Sequence, residues 1–181
     1  MHVTRTFGDV TIECIEGDIT AQDGIDAVVN AANSQLRPGG GVAGAIHRAA
    51  GPRLDQACRP LAPIRPGQAV ITPAFDLPNK HVIHCLGPVY GRDEPAGGLL
   101  AACYRRALEL AEEHELESIA FPAISTGAFG YPLAEAAKVA LSTVAAEATK
   151  LRHVRLIRFV LWGQEALDAH ESALKAIGIG S

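Results

Sequence analysis

Two glycine-rich segments carry the residues whose type and spacing could do chemistry. The first, residues 33–42, reads NSQLRPGGGV and contains Gly39, Gly40 and Gly41 in succession, and the second, residues 125–130, reads STGAFG. Three successive glycines cost conformational entropy on folding, so they are expected where the backbone must come close to a ligand. The helix predicted after Gly41 would present its amide-rich N-terminus to that ligand, which favours an anion such as a phosphate.

Two such loops facing each other could hold a diphosphate between them. The alternative is that both are only tight turns, and for one loop alone that alternative would be preferred. Both segments follow predicted strands, and ligands of open α/β sheets bind beyond the carboxyl ends of the strands. Two loops of this kind at successive strand ends therefore favour a binding site.

The sequence lacks the residue patterns of several other kinds of site. A dinucleotide-binding GxGxxG after a strand and a P-loop GxxxxGK[ST] are both absent. The four cysteines form no CxxC-type pair, so neither a metal site nor a cofactor is expected. His84 and Cys85 are adjacent on a predicted strand and would point to opposite faces, which excludes a Cys–His nucleophile from this pair. His47 has no second ligand at metal spacing, so we expect a structural or solvated role.

Strands and helices alternate through most of the chain, which predicts an α/β fold in three layers, α/β/α, with a mixed, mainly parallel central sheet. Residues 4–7 would pair with the strand Val10–Ile15 as an N-terminal hairpin that adds an antiparallel edge. Further strands are predicted at Ala27–Ala31, Ala69–Thr72, Lys80–Cys85, Ser118–Phe121 and Val154–Trp162. Helices are predicted at Val42–Ala50, which Gly51-Pro52 would end, and at Leu99–His114, Leu133–Lys150 and Gly163–Ile177.

Length and composition suit one domain over residues 1–181. Domains commonly span about 100–200 residues, and 48% of these residues are hydrophobic, enough for a full core. The net charge of −4 provides no global basic field, which argues against long nucleic acid as a partner. The N-terminus does not resemble a signal peptide, and no apolar run approaches the roughly 18 residues of a membrane span. We therefore expect no membrane partner and a cytoplasmic location.

Five ordered motifs resemble the macrodomain family, and the resemblance covers about the whole chain. Any one of them would be weak evidence, whereas five in the family's order and spacing are highly specific. The motifs are GDIT (residues 17–20), AVVNAAN (27–33), GGGVAGAI (39–46), HCLGP (84–88) and FPAISTGAFG (121–130). The resemblance implies that the ligand is ADP-ribose and that the partners are ADP-ribosylated proteins.

The resemblance also implies a role for each residue of the site. Asp18 would accept a hydrogen bond from the adenine amino group, with the backbone of Ile19 beside it, and Asn33 would reach the distal ribose hydroxyls. Asn30 would order its loop from inside, since a buried amide must be paired, and Phe129 would pack on the distal ribose. The diphosphate would be held by backbone N–H groups in a set made of Gly40, Gly41, Val42, Ser125, Thr126, Gly127, Ala128, Phe129 and Gly130.

Three of these roles have a competing interpretation. Asp18 could be a turn or cap residue, and Phe129 could be a packing anchor of its loop. Trp162 ends the last predicted strand, where similar proteins carry an aromatic residue against adenine, but it could also pack in the core. Both interpretations of Trp162 stay open on the sequence alone.

The resemblance is compatible with two functions, an ADP-ribosyl hydrolase and a non-catalytic reader that only binds ADP-ribose. The best-known hydrolase branch has an aspartate directly after GGGV, where this chain has Ala43. Other macrodomains resembling this one also carry alanine there and are regarded as hydrolases. In that case the diphosphate would orient the water, and the catalytic candidates Asn33 and Phe129 would fix the ribose and restrict the water.

We therefore expect hydrolysis of mono-ADP-ribose esters on acidic side chains, with O-acetyl-ADP-ribose as a further candidate substrate. The alternative is a non-catalytic module that reads ADP-ribose. A phosphatase acting on ADP-ribose 1″-phosphate is a third and less favoured hypothesis.

Overall fold

The computed structural model describes residues 3–178, in which a seven-stranded sheet lies between two layers of helices. The strands are β1 (Val3–Phe7), β2 (Val10–Glu16), β3 (Ala27–Ala31), β4 (Ala69–Pro73), β5 (His81–Cys85), β6 (Ser118–Phe121) and β7 (Leu156–Leu161). The helices are α1 (Gly41–Ala50), α2 (Pro52–Cys58), α3 (Ala96–Glu113), α4 (Leu133–Ala148) and α5 (Gln164–Ala176). In the described residues, no helix combines the length and the apolar character needed to cross a membrane.

The strand order across the sheet is β1-β2-β7-β6-β3-β5-β4. The five central strands run parallel, while β1 and β4 pair antiparallel to their neighbours at the two edges. The predicted α/β architecture, with a mixed and mainly parallel sheet and an N-terminal antiparallel hairpin, is therefore confirmed.

The antiparallel direction of β4 is a feature that the sequence analysis did not predict. Residues 74–80 alone join β4 to β5. A parallel crossover needs a dozen or more residues, so the two strands form a hairpin. The sheet consequently has an antiparallel strand at each edge and a parallel centre.

Two hydrophobic clusters, one on each face of the sheet, hold the helices in place. On the face covered by α3, α4 and α5, Tyr104, Phe121 and Phe159 pack ring against ring with centroids 5.0 to 6.1 Å apart. On the other face, α1 and α2 bury Ile46 and Leu54. Burial on both faces explains why β3 and β6 are nearly continuous apolar runs rather than alternating ones.

Gly51-Pro52 separates two helices instead of ending the helical segment. Gly51, with a φ of +87°, ends α1 and donates its N–H to the His47 carbonyl at 3.0 Å. Pro52 then begins α2, in a position where its missing N–H removes no helical bond. The end of α1 was therefore predicted correctly, but α2 was not predicted. The prediction that β7 includes Trp162 was also wrong, since the strand ends at Leu161.

Candidate functional site

Five parallel strands bring their carboxyl ends to one edge of the sheet, which we call the carboxyl edge. Asp18 follows β2, Trp162 follows β7, residues 125–130 follow β6, and residues 33–42 follow β3. Because β2 neighbours β7 and β6 neighbours β3, these loops form two adjacent pairs. The structure therefore gathers all of the predicted site residues at one edge.

The first glycine-rich segment leaves the N-terminus of α1 open. The first backbone bond of the helix runs from the Gly44 N–H to the Gly40 carbonyl at 3.2 Å, so the N–H groups of Gly41, Val42 and Ala43 have no intrahelical acceptor. No side chain caps the helix, and a Cβ atom at Gly40 or Gly41 would meet no atom within 4 Å. Free N–H donors at the positive end of the helix dipole suit an anion.

The second segment forms a tight turn with free donors. The Gly130 N–H donates to the Gly127 carbonyl at 3.0 Å, and the Tyr131 N–H donates to the Ser125 carbonyl at 2.9 Å. A Cβ atom at Gly127 or Gly130 would meet nothing within 4 Å. Among residues 3–178, the N–H groups of the turn residues between Ser125 and Gly130 have no acceptor. This turn therefore offers a second set of backbone donors beside the first.

Gly87, in the loop after β5, fixes the start of this turn. Ser125 has a left-handed φ of +67° and is buried, and its Oγ has no hydrogen-bond partner within residues 3–178. A Cβ atom at residue 87 would lie 2.1 Å from that Oγ and 2.6 Å from Cγ2 of Ile124. Only glycine permits this close approach, so the HCLGP motif supports the turn after β6.

Asn33 is held in a closed loop with the backbone of Arg37. Its Nδ2 donates to the Arg37 carbonyl at 2.8 Å, and its Oδ1 accepts the Arg37 N–H at 3.0 Å. Arg37 is itself paired with Asp55, Nε to Oδ1 at 2.9 Å. An amide has two N–H groups and two acceptor lone pairs, so Asn33 keeps one of each for a ligand while its orientation is fixed.

Asp18 is exposed and uses only one of its two carboxylate oxygens in the fold. Oδ1 accepts hydrogen bonds from the N–H of Thr20 at 2.8 Å and from its Oγ1 at 2.7 Å. These bonds lower the pKa of Asp18, which keeps the group ionised. The turn interpretation is therefore correct, and it does not compete with the ligand role, because Oδ2 has no partner in the part of the chain described. Ile19 is 6% exposed and lies in the core beneath the loop.

Trp162 is 85% exposed, so the interpretation that it packs in the core is wrong. The preceding residue, Leu161, pairs with Glu16 and accepts the N–H of Gly17 at 3.0 Å. The backbone of Trp162 therefore leaves the sheet next to the loop that carries Asp18. The reversal of chain direction at Gly163, with a φ of +95°, takes the residue out of the strand and away from the core.

Phe129 is half-buried and packs against the same hydrophobic cluster as Val42. Its carbonyl accepts the N–H of Tyr90 at 2.8 Å, and the Tyr90 ring lies 4.8 Å from that of Tyr131. Phe129 is therefore in part a packing anchor of its loop. Tyr90, 44% exposed, is a residue of the carboxyl edge that the sequence analysis missed, although it lies two residues beyond the HCLGP motif.

No carboxylate stands directly after the GGGV motif. Ala43 is 5% exposed and His47, one turn further on, is 6% exposed. Neither ring nitrogen of His47 has a partner in residues 3–178, and burial lowers its pKa, so the ring is neutral. The solvated alternative for His47 is wrong. In the described part of the chain, no group of three or more His, Cys, Asp or Glu side chains could hold a metal ion.

A buried polar group beneath the carboxyl edge includes a Cys–His contact that the sequence did not reveal. Nδ1 of His84 lies 3.1 Å from Nδ2 of Asn30, and its Nε2 lies 3.0 Å from Oγ1 of Thr72 and 3.7 Å from Sγ of Cys58. Burial lowers the pKa of His84 to about 3 and raises that of Cys58 to about 11. Both groups are therefore neutral, and the pair has no nucleophilic character. Asn30 bridges two strands here instead of ordering its own loop.

The whole chain is similar to proteins of known fold. A family model described as Macro domain matches residues 29–140. A macro domain-containing protein of Chlorobaculum tepidum is 47% identical over 169 residues, which cover 93% of this chain and 98% of the relative. An O-acetyl-ADP-ribose deacetylase of Salmonella typhimurium is 49% identical over 172 residues, covering 92% of this chain and 96% of the relative.

The fold also matches solved structures closely. The Oceanobacillus iheyensis macrodomain with ADP superposes with a TM-score of 0.95 at 38% identity, covering 100% of this chain and 98% of that one. A variant of the same macrodomain with ADPR superposes with a TM-score of 0.94 and covers 100% of each chain. The correspondence therefore extends over the whole sheet and the loops of its carboxyl edge.

Proposed function

This chain belongs to the macrodomain family, and on that premise we propose that it binds ADP-ribose along the carboxyl edge. The observation that carries the proposal is the pair of open donor sets, at the start of α1 and in the turn 125–130, on neighbouring strands. Two facing sets of backbone N–H groups suit a diphosphate without any basic side chain. The ADP and ADPR bound by the Oceanobacillus relative support this assignment.

The adenine would lie at the β2–β7 end of the edge. Oδ2 of Asp18 is free to accept a hydrogen bond from the exocyclic amino group, and the exposed indole of Trp162 supplies an apolar face beside it. Strands in a sheet lie about 4.8 Å apart, so β2 and β3, three spacings apart, are separated by about 14 Å. That distance suits a nucleoside diphosphate sugar lying across four strand ends.

The distal ribose would lie at the β3–β6 end. Asn33 keeps one N–H and one acceptor for its hydroxyl groups, and the half-buried Phe129 would pack on the sugar through the part of its side chain that stays exposed. Both residues are held by contacts within the protein itself. A ligand arriving at this edge would therefore find the groups that orient it already ordered.

We propose further that the chain hydrolyses mono-ADP-ribose esters on acidic side chains of modified proteins, with O-acetyl-ADP-ribose as a second substrate of the same ester class. The name of the Salmonella relative supports ester hydrolysis. Water would cleave the ester, releasing a carboxylate and a free ribose hydroxyl. Because Ala43 supplies no general base, the diphosphate would orient the water, and Asn33 and Phe129 would act as catalytic residues by positioning the ribose and limiting the place of the water.

Ala43 is also the observation that favours the alternative of a non-catalytic ADP-ribose reader. The decisive experiment is incubation of the chain with glutamate-linked mono-ADP-ribosylated protein, followed by measurement of released ADP-ribose. Release at a rate well above that of the spontaneous reaction supports the hydrolase. A chain that binds ADP-ribose in calorimetry yet leaves the modified protein intact over hours would be a reader for that linkage.

A further inference from the structure

We infer that Gln22, held in place by Arg158, is a positioning residue that determines nucleobase specificity by fixing the direction of the Asp18 carboxylate. The inference rests on the proposed adenine role of Asp18. Gln22 is 5% exposed and lies in the loop between β2 and β3, four residues beyond Asp18. Its buried side chain would act only through Asp18.

The carboxamide of Gln22 makes two directed hydrogen bonds. Its Nε2 donates to the backbone carbonyl of Asp18 at 2.8 Å, and its Oε1 accepts from Nη1 of Arg158 at 3.0 Å. The backbone carbonyl of Gln22 accepts from Nδ2 of Asn79 at 2.8 Å, and a second bond from Nδ2 of Asn79 reaches the Ile25 carbonyl at 2.7 Å. The loop is thus anchored from the sheet and from the β4–β5 hairpin.

Arg158 is oriented by Glu13, its partner in the adjacent strand. The two residues are in register between β7 and β2, and Nε of Arg158 donates to Oε1 of Glu13 at 2.6 Å. The side chains are only 24% and 18% exposed. The planar guanidinium uses one nitrogen for Glu13 and another for Gln22, a division that a lysine ammonium cannot reproduce in the same geometry.

The position of Gln22 is transmitted to the free oxygen of Asp18 through the local turn. Oδ1 of Asp18 is bound to the N–H and Oγ1 of Thr20, which fixes the carboxylate relative to its own backbone. Moving that backbone therefore moves Oδ2. The Asp18 carbonyl accepts the Ala21 N–H at 3.0 Å within the turn, and the bond from Gln22 is a contact that ties this turn to Arg158 in the sheet. Gln22 therefore restrains the turn, and with it the direction in which Oδ2 presents its acceptor.

The test compares two ligands that differ at the group Asp18 would recognise. ADP-ribose carries an amino group on its base, whereas inosine diphosphate ribose carries a carbonyl oxygen that cannot donate. In calorimetry, the wild-type chain should bind ADP-ribose about tenfold more tightly than inosine diphosphate ribose, the effect of one hydrogen bond to a charged group. We expect that preference to fall to about twofold in Gln22→Leu, as in Asp18→Ala, while the affinity for inosine diphosphate ribose changes little.

Arg158→Lys keeps the charge beside Glu13 and should retain the fold while losing part of the preference. Arg106→Met is the matched control, because this arginine contacts Glu109 and Glu113 on α3, away from the carboxyl edge, and its loss should leave the preference unchanged. Thermal unfolding of each variant checks that it is folded at the temperature of the titration.

The outcomes separate this inference from the proposed function. A wild-type chain that binds neither ligand would overturn ADP-ribose binding itself, and equal binding of both ligands would overturn the adenine role of Asp18 together with the role of Gln22. A wild-type preference that persists undiminished in folded Gln22→Leu and Arg158→Lys would overturn the positioning role alone. Equal weakening of both ligands in Gln22→Leu would also overturn it, since a merely structural role predicts that result.

Discussion

At the scale of single residues, a substitution at Asn33 distinguishes the hydrolase hypothesis from the reader hypothesis. Its amide is fixed by the Arg37 backbone at 2.8 and 3.0 Å, so its remaining N–H and lone pair point in one direction. Orientation of the ribose matters more in the transition state than in the ground state. In a hydrolase, Asn33→Ala should lower turnover by about 10-fold to 100-fold while lowering ADP-ribose affinity only by about threefold.

Single-turnover kinetics on glutamate-linked ADP-ribosylated protein would measure the first effect, and calorimetry the second. Because Asn33 also closes its own loop, circular dichroism and thermal unfolding must show that the Asn33→Ala chain is folded. Equal losses of turnover and affinity in a folded variant would assign Asn33 to ground-state binding only.

Trp162 provides a second residue-scale prediction, since it is the only tryptophan in the chain and is 85% exposed. Stacking of adenine on the indole would remove water from one face of the ring. Titration with ADP-ribose should therefore change the tryptophan emission, and Trp162→Ala should weaken binding by about 0.5–1.5 kcal/mol, the range for an aromatic pair. Flat emission together with normal affinity of Trp162→Ala would leave Trp162 a surface residue without a ligand role.

At the scale of elements, the turn after β6 can be tested without disturbing the fold. A side chain at residue 127 has open space around it, and the φ of Gly127 is outside the left-handed region. Gly127→Glu should therefore fold normally, yet place a carboxylate where the diphosphate would lie and abolish ADP-ribose binding. Gly127→Ala, which adds no charge, is the matched control and should bind within about threefold of wild type.

Calorimetry measures both variants, and their thermal unfolding should match that of the wild-type chain. Gly87→Ala offers a contrast, because its Cβ would meet Ser125 Oγ at 2.1 Å and should lower the melting temperature. If folded Gly127→Glu binds as tightly as wild type, the turn has no part in holding the ligand.

The elements that sequence predicted well are those whose signal is local. β3 and β6 are short, mainly apolar runs that each follow an acidic residue, Asp26 or Glu117, and the structure ends each at the predicted residue. Gly51-Pro52 was ambiguous, because the same dipeptide can stop a helix or join two of them. The antiparallel direction of β4 depends on the length of a connection rather than on the composition of the strand.

The parts of the candidate site that sequence did not reveal depend on long-range contacts. Cys58 and His84 lie 26 residues apart and meet only when α2 folds onto the sheet. Glu13 and Arg158 are separated by 145 residues and pair through strand register. The motifs located the loops of the carboxyl edge, but the side chains that hold those loops carry no motif of their own.

At the scale of the whole molecule, buried histidines predict how stability depends on pH. Burial lowers the pKa of His84 to about 3 and also lowers the pKa values of His47 and His170. A histidine in the unfolded chain has a pKa near 6.5. Below that pH the unfolded chain therefore binds protons at these histidines, whereas the buried rings of the folded chain stay neutral. The free energy of unfolding should therefore be greatest above about pH 6.5 and should decrease as the pH falls towards 3.

The slope for His84 alone approaches about 1.4 kcal/mol per pH unit at pH values between its two pKa values. Urea unfolding at several pH values between about 8 and 5 measures it. Carboxylates with lowered pKa values, such as Asp55 and Glu112, begin to lose their contribution to the free energy of unfolding only near pH 4. They therefore add little to the change between pH 8 and 5. A free energy of unfolding that does not change between pH 8 and 5 would contradict the neutral state of these rings.

The loops of the carboxyl edge follow two adjacent pairs of strands, β2 with β7 and β6 with β3. Base selection would belong to the first pair, and the diphosphate and distal sugar to the second. With the roles divided in this way, a substitution beside Asp18 should change the base preference and leave the diphosphate contacts of the turn at 125–130 in place. A descendant of such a protein could then exchange its preferred nucleobase and keep the proposed diphosphate and ribose contacts of its ancestor.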